Sequence, residues 1–136
     1  MSNNVHVTLL TKEEYIKYKD VFPHLRESWW LRTPSGAPKF AYKIQDDGRV
    51  GNCNVHKCLG VRPAIRMPFF SFKPLNPGDK IKIGRRLFTV LSWDGFNLFA
   101  LCNGCIAKKQ FDPNDNQWES SEIKKWLQIE GLKLIF

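Results

Sequence analysis

Four cysteines are the residues whose types and spacing could do chemistry. Cys53-x4-Cys58 and Cys102-x2-Cys105 form two pairs in separate halves of the chain. Cys102-Asn103-Gly104-Cys105 is a knuckle, because a glycine-containing turn lets both sulfurs point at one ion. Tetrahedral zinc needs four such ligands, and His56 offers a substitute for one. A site made of Cys53, Cys58, Cys102 and Cys105 would be structural, since four thiolates leave no open position for chemistry. The alternative is four ordinary thiols, with Cys102 continuing an alternating strand and Cys105 beginning another. The expected cofactor is one structural zinc or none.

The second chemical signal is charge. The chain carries a net charge of +8 over 136 residues, and the excess is spread rather than confined to a tail. Such a balance attracts anionic partners over long range, or simply keeps a small protein soluble. Lys39, Lys43 and Arg49 go with a hairpin over 40–55, and His56 and Lys57 follow it. Arg85-Arg86 sits at a turn, and Lys108-Lys109 precedes Phe111. If these face one side they form a positive stripe, with Tyr42, His56 and Phe96 available for stacking. The alternative is an ordinary solvated surface. No aromatic RNP string, GXXG clamp or zinc-finger His pair is present. Nor is there a G-x-S-x-G, a Walker loop or an H-E-x-x-H. His6, His24 and His56 have no carboxylate neighbour in a familiar pattern, and Asp46-Asp47 reads as turn chemistry. These residues imply a non-enzymatic protein that binds an acidic protein surface or an anionic ligand, with nucleic acid as the alternative partner. Met1-Ser2-Asn3-Asn4 is not a secretion signal, and no apolar run reaches 18 residues, so the expectation is a cytoplasmic protein with no membrane partner.

The elements that must position these residues are short. Val5–Leu10 alternates and reads as a strand. Thr11-x-x-Glu14 is a capping box opening a helix to about Asp20, with Tyr15, Ile16 and Lys19 near one face; Pro23 ends it. Trp29–Arg32 is a strand stopped by Thr33-Pro34-Ser35-Gly36, with Trp29 and Leu31 on one face and Trp30 and Arg32 on the other. Phe40–Gln45 and Arg49–Val55 flank the Asp47-Gly48 turn, and Val61–Met67 is a further strand. The segment 68–77, with Pro68, Pro74 and Pro77, reads as a connector anchored by Phe69, Phe70 and Phe72. Lys80–Ile83, Leu87–Ser92 and Phe96–Leu101 read as a meander turning at Asp94-Gly95, and Cys105–Lys109 as a short strand after Asn103-Gly104. Asn116-x-x-Glu119 caps a helix over 118–129, Gly131 ends it, and Leu132–Phe136 docks as an edge strand.

Two strings carry a resemblance. Ser28-Trp29-Trp30-Leu31-Arg32-Thr33-Pro34 and Gly60-Val61-Arg62-Pro63-Ala64-Ile65 resemble the WWLRSP…GVRPA pattern of a family of bacterial and phage domains of unknown function. Asp79–Gly84, Phe88–Leu91, Leu98–Leu101 and Trp118–Leu127 resemble that family's opening strands and its W-E-x-S helix, but here they follow the WWLR/GVRPA half instead of preceding it. The resemblance implies an α+β C-type-lectin-like domain, akin to the formylglycine-generating-enzyme core, with short antiparallel strands and two helices, either circularly permuted or one half of two neighbouring repeats cut in a different place. It divides a single domain, 1–136, into a WWLR/GVRPA half (1–67), the connector (68–77), and a meander-plus-helix half (78–136). It implies that Arg32 or Arg62 is tied to backbone carbonyls or an acid. It implies a scaffold that binds, for example a phage-encoded inhibitor of a host defence protein or a protein that sequesters an anionic ligand. A basic chain is a poor DNA mimic. Cys53-x4-Cys58, with Arg62 four residues on, is also similar to the reactive cysteine pair of the formylglycine-generating enzymes, which would imply a copper-dependent thiol oxidase.

Overall fold

A computed structural model describes residues 5–136; the reading of Met1–Asn4 lies outside the described residues. The elements in chain order are β1 (His6–Thr8), α1 (Lys12–Tyr18), β2 (Trp29–Pro34), β3 (Phe40–Ile44), β4 (Val50–Asn54), β5 (Leu59–Val61), β6 (Ala64–Pro68), β7 (Lys80–Ile83), β8 (Arg86–Trp93), β9 (Asn97–Cys102), β10 (Ala107–Lys109), α2 (Glu122–Trp126), a π-helical turn (Leu127–Gly131) and α3 (Leu132–Ile135). The class is α+β. The first sheet has the order β1-β6-β9-β8-β7, antiparallel throughout. The second has the order β10-β5-β2-β3-β4, with one parallel contact where Trp29 meets Gly60. Each sheet draws strands from both sides of the 68–77 segment. No helix among the described residues is long and apolar enough to cross a membrane.

Local chemistry accounts for several elements. The capping box forms as expected: Glu14 N donates to Thr11 Oγ1 at 3.0 Å, and Thr11 N to Glu14 Oε1 at 2.9 Å. It satisfies two of the donors that a helix start leaves open. Strand β2 is buried on both faces, with Trp29 and Leu31 in one apolar cluster and Trp30 in the other. The Asp-Gly turns hold their glycines at positive φ, 87° at Gly48 and 99° at Gly95, where a side chain would be strained.

Other expectations are corrected. The strand over 61–67 is broken at Arg62-Pro63: Val61 ends β5 in one sheet and Ala64 begins β6 in the other. Pro63 lacks an N–H for a ladder, so the chain changes sheets there. Strand β2 runs on through Thr33 and Pro34, with a bulge that accommodates the proline. Within α1, Tyr15 is buried but Ile16 is exposed. In the connector Phe69 packs on the core, whereas Phe70 and Phe72 are 73% and 95% exposed and lie edge-to-face against each other, ring centroids 4.9 Å apart.

The C-terminus departs most. Asn116 does not cap the helix. Its amide donates instead to the carbonyls of Ser35, Ala37 and Phe40 at 3.2, 3.0 and 2.8 Å, and the cap is Ser121, whose Oγ accepts from Lys124 N at 3.2 Å. Gly131 does not end the helix either. Its backbone is right-handed helical, φ −61°, and the chain continues through the π turn into α3, so Leu132–Phe136 is not an edge strand. Glycine serves close approach here: a Cβ at Gly131 would sit 3.0 Å from Leu127 Cδ2.

Candidate functional site

Among the described residues, no group of three or more His, Cys, Asp and Glu side chains could hold a metal ion. The expected zinc site of Cys53, Cys58, Cys102 and Cys105 is therefore not assembled. Cys53 lies half-buried on β4, an edge of the second sheet, and Cys58 is exposed in the following turn. Cys102 is buried at the end of β9 in the first sheet, and Cys105 lies in the loop leading to β10. Cys105 Sγ fills the space that a Cβ at Gly60 would need. Burial, with Glu27 beside it, pushes the Cys105 thiol up to about 12, and burial raises Cys102 as well. Both remain protonated near neutral pH, the state of a packed thiol rather than a ligand or nucleophile. Iodoacetamide at pH 8 should therefore label Cys58 first on the folded protein and reach Cys102 and Cys105 only after denaturation. Peptide mass mapping checks this; early labelling of Cys105 would contradict the packing.

The two arginines of the motif strings are held as the resemblance implied. Arg32 Nε donates to Leu9 O at 3.2 Å. Arg62 is fully buried, its Nε donating to Cys102 O at 2.6 Å and its Nη2 to Pro23 O at 2.8 Å. Its guanidinium lies 5.0 Å from the ring centroids of both Phe22 and Trp29. Nη1 finds no partner among the described residues, and burial lowers the Arg62 pKa to about 10. This is a structural role.

The nine basic candidates fall into separate places. Five share neighbouring backbone around the buried Val55. Val55 N donates to Lys39 O at 2.9 Å, His56 and Lys57 follow, and Val55 O accepts from Phe111 N at 2.9 Å. Strand β10 lays Lys109 beside Leu59 and Lys108 beside Gly60. Lys109 Nζ rests 5.1 Å over the Trp126 ring. Lys43 is on β3 of the same sheet, opposite Trp30 and Gly51. Arg49 is bound to Asp47 at 2.8 Å, and that guanidinium holds the Asp47 carboxyl below the usual carboxylate range. Arg85 sits in the turn between β7 and β8 and Arg86 opens β8 of the first sheet; Arg85 N donates to Ile135 O at 2.7 Å and Arg86 Nε to Leu134 O at 3.1 Å. Among the described residues, Arg49 alone of the nine is in an ion pair. Of the expected stacking partners, Tyr42 already carries Lys12 Nζ 4.6 Å over its ring, and Phe96 lies in the turn between β8 and β9 of the other sheet.

A groove of about 600 Å³ on the first sheet was not anticipated from the sequence. Direct pairing puts His6 beside Arg66, Arg66 beside Phe99, and Phe99 beside Ser92, a row across four strands. Directly paired residues share a face of the sheet. One step further along, Ala64 and Leu101 are buried with Tyr15 and Trp29, so the groove opens where that cover stops. The Arg66 guanidinium lies 3.7 Å from the Phe99 ring centroid, and its Nη2 is 2.9 Å from Glu14 Oε2. Tyr18 meets Phe99 edge-on at 5.9 Å. Trp93, Asp94 and Asn97 also line it, with the Trp93 side chain packed on the opposite face beside Leu98. Trp93 Nε1 donates to Phe69 O at 2.9 Å. Asp94 Oδ1 accepts from Asn97 N at 2.7 Å and Phe96 N at 2.9 Å, and these bonds hold its carboxyl below the usual range. The signal lay in strand register, which joins residues as far apart as 6 and 92.

Residues 3–69, from just before β1 to just past β6, match the model of a family described as a domain of unknown function, DUF6273. No curated protein and no solved structure matches the chain.

Proposed function

We propose, taking the match over β1–β6 to a domain family of unknown function as the premise, that this chain is a non-enzymatic binding protein whose basic surface engages an anionic partner. One observation carries the reading: eight of the nine basic candidates have no ion-pair partner among the described residues, in a chain of net charge +8. Six of these eight lie in or beside the second sheet, and basic groups gathered in this way raise the local concentration of anions and speed their association. The partner we favour is an acidic protein surface, as for a phage-encoded inhibitor of a host defence protein, or an anionic ligand that the protein sequesters. Exposed Phe70 and Phe72 support the protein partner, because a tight protein interface needs an apolar anchor. The scaffold we propose is C-type-lectin-like with its halves permuted. The order of the WWLR strand, the GVRPA strands, the meander and the C-terminal helix supports that reading.

Direct nucleic-acid binding is the second reading, favoured by the same unpaired charge. Titrating poly-L-glutamate and a single-stranded 20-mer against salt separates the two. A phosphate-tracking surface gives a steep log–log slope for the oligonucleotide, while a protein-binding surface tolerates salt better. Charge reversal at Lys39, Lys57, Lys108 and Lys109 should weaken binding of the preferred probe by about a hundredfold and flatten its salt slope by about 3. Unchanged affinity for both probes in that variant would remove the basic surface as the binding face.

A further inference from the structure

Strand β4 is an edge of the second sheet, and its outer side is an open ladder. Its pairing with β3 is continuous, from Val50 beside Ile44 to Asn54 beside Phe40. Gln45 N donates to Arg49 O at 2.8 Å, and Val55 N to Lys39 O at 2.9 Å. Hydrogen-bonded pairs alternate along an antiparallel ladder, so Gly51 and Cys53 turn their backbone groups toward β3. Val50, Asn52 and Asn54 therefore turn theirs outward. Asn54 O accepts from Lys57 N at 3.0 Å, but the N–H and C=O of Val50 and Asn52 and the N–H of Asn54 have no partner among the described residues. The opening stops there, because Val55 O is taken by Phe111 N. The other edges are shorter or guarded. Strands β1 and β10 have three residues each, and β7 carries exposed Lys80 and Lys82. Within β4 there is no charge, no proline and no bulge, the devices that keep an edge from pairing. Such an edge fits an extended backbone.

Charge selects the occupant. Asn52 stands beside Tyr42, whose ring carries Lys12 Nζ. Gly51 stands beside Lys43, on the opposite face. The Gln45 amide lies over Gly51, in the space a Cβ would take, and makes no hydrogen bond among the described residues. Past Asn54, His56 and Lys57 are exposed. At the Val50 end Asp47 is bound to Arg49. Cations thus flank the middle of β4 and its Asn54 end, where a second copy of this basic chain would bring like charges together. We propose that an extended acidic segment of the partner protein adds to the second sheet along β4. Its backbone bonds Val50, Asn52 and Asn54, and its carboxylates face Lys12, Lys43 and Lys57. This rests on the basic-surface reading for the sign of the partner's charge, and adds that the partner binds as a strand. The five residues of β4 span about 17 Å, so a segment of about seven residues covers the edge. The ladder supplies affinity, and the flanking cations supply the preference for acid.

The test is amide hydrogen exchange of the 15N-labelled full chain, with and without the peptide acetyl-Thr-Glu-Val-Glu-Val-Glu-Thr-amide. Saturating peptide is expected to slow exchange at Val50, Asn52 and Asn54 by about tenfold or more. Gly51 and Cys53, already bonded to β3, should not change; contact without a ladder gives no such alternation. A peptide with proline for valine, equal in charge, should bind about tenfold more weakly. So should a peptide with glutamine for glutamate. Asn52→Pro removes an N–H that β3 does not use, so β4 should persist while peptide affinity falls about tenfold, and its own spectrum reports whether it is folded. The proposal is overturned if the proline or the glutamine peptide binds as well as the parent, or if no amide of β4 responds up to about 1 mM peptide. It is overturned too if those amides are protected without peptide, and more so as the protein is concentrated, because a second copy then fills the edge. Binding of poly-L-glutamate with no protection in β4 overturns it and leaves the basic-surface reading standing. The wild-type alternation stands as a test even where Asn52→Pro disturbs β4.

Discussion

Replacing Arg62 with alanine is expected to cost the fold about 3–5 kcal/mol. The side chain is fully buried between Phe22 and Trp29, and it supplies the donors to Cys102 O and Pro23 O. Alanine leaves a cavity beside two aromatic rings and takes a donor from each carbonyl. The arginine is itself costly, because Nη1 is buried without a partner among the described residues. The fall of its pKa from the ordinary arginine value to about 10 corresponds to roughly 3 kcal/mol of desolvation below that pH. Arg62→Met should therefore lose clearly less than Arg62→Ala, since it removes the charge and keeps an apolar stem. Arg62→Lys should fall nearer alanine, because an ammonium cannot fork to both carbonyls while lying flat on the rings. The folded-state pKa is below the unfolded one, so the charge penalty is full below about pH 10 and relaxes as the pH rises from there toward the ordinary arginine value. Over that interval the wild type should gain on Arg62→Met. Urea denaturation of the four proteins measures all of this. A loss below about 1 kcal/mol in Arg62→Ala would mean that the rings and carbonyls do not depend on the guanidinium.

Arg62 also marks a boundary between what the sequence discloses and what it does not. Features set by neighbours within a few residues were legible: the Thr11/Glu14 capping box, the Asp-Gly turns at Gly48 and Gly95, the alternation of Trp29, Trp30 and Leu31. Features set by distant partners were not. Gly131 reads as a helix stop, yet its lack of a side chain is used by Leu127 one turn back. Phe70 and Phe72 read as core anchors on hydrophobicity alone, and only the hydrogen bonds of Phe69 to Phe96 and Trp93 determine which phenylalanine turns inward.

The candidate site follows the same division. That the chain is basic was plain, but the gathering of Lys39, Lys57, Lys108 and Lys109 depends on β10 crossing to β5, a pairing of residues almost fifty positions apart. The Arg66–Phe99 stack depends on β6 lying beside β9, and the strand containing Arg66 was expected to start three residues earlier. Cysteine spacing was the most conspicuous signal and the least informative. Cys53 and Cys102 sit in different sheets, Cys58 and Cys105 lie outside the strands, and Cys105 is explained by its packing on Gly60.

Gly84→Ala should be as damaging as the loss of Arg62, about 3–5 kcal/mol, through one contact beside β7, an edge strand of the first sheet. Gly84 opens the two-residue turn between β7 and β8 with φ +59°. A Cβ there would overlap the carbonyl oxygen of Ile135, a backbone atom that cannot rotate aside. That same oxygen accepts from Arg85 N, and Leu134 O accepts from Arg86 Nε. The turn thus satisfies carbonyls that a helix end leaves without partners. To make room, α3 must withdraw, and with it go both hydrogen bonds and the burial of Ile135. The π turn from Leu127 to Gly131 leads directly into α3, so it should loosen together with it. Hydrogen exchange is expected to show amides 127–136 losing protection while those of β8 and β9 keep theirs. Gly95→Ala is the matched control. It has φ +99° but nothing within 4 Å of the added methyl, so it should cost only the backbone strain, about 1–2 kcal/mol. Equal losses in the two variants would mean that strain alone sets the cost and that the turn does not hold the C-terminal helix in place.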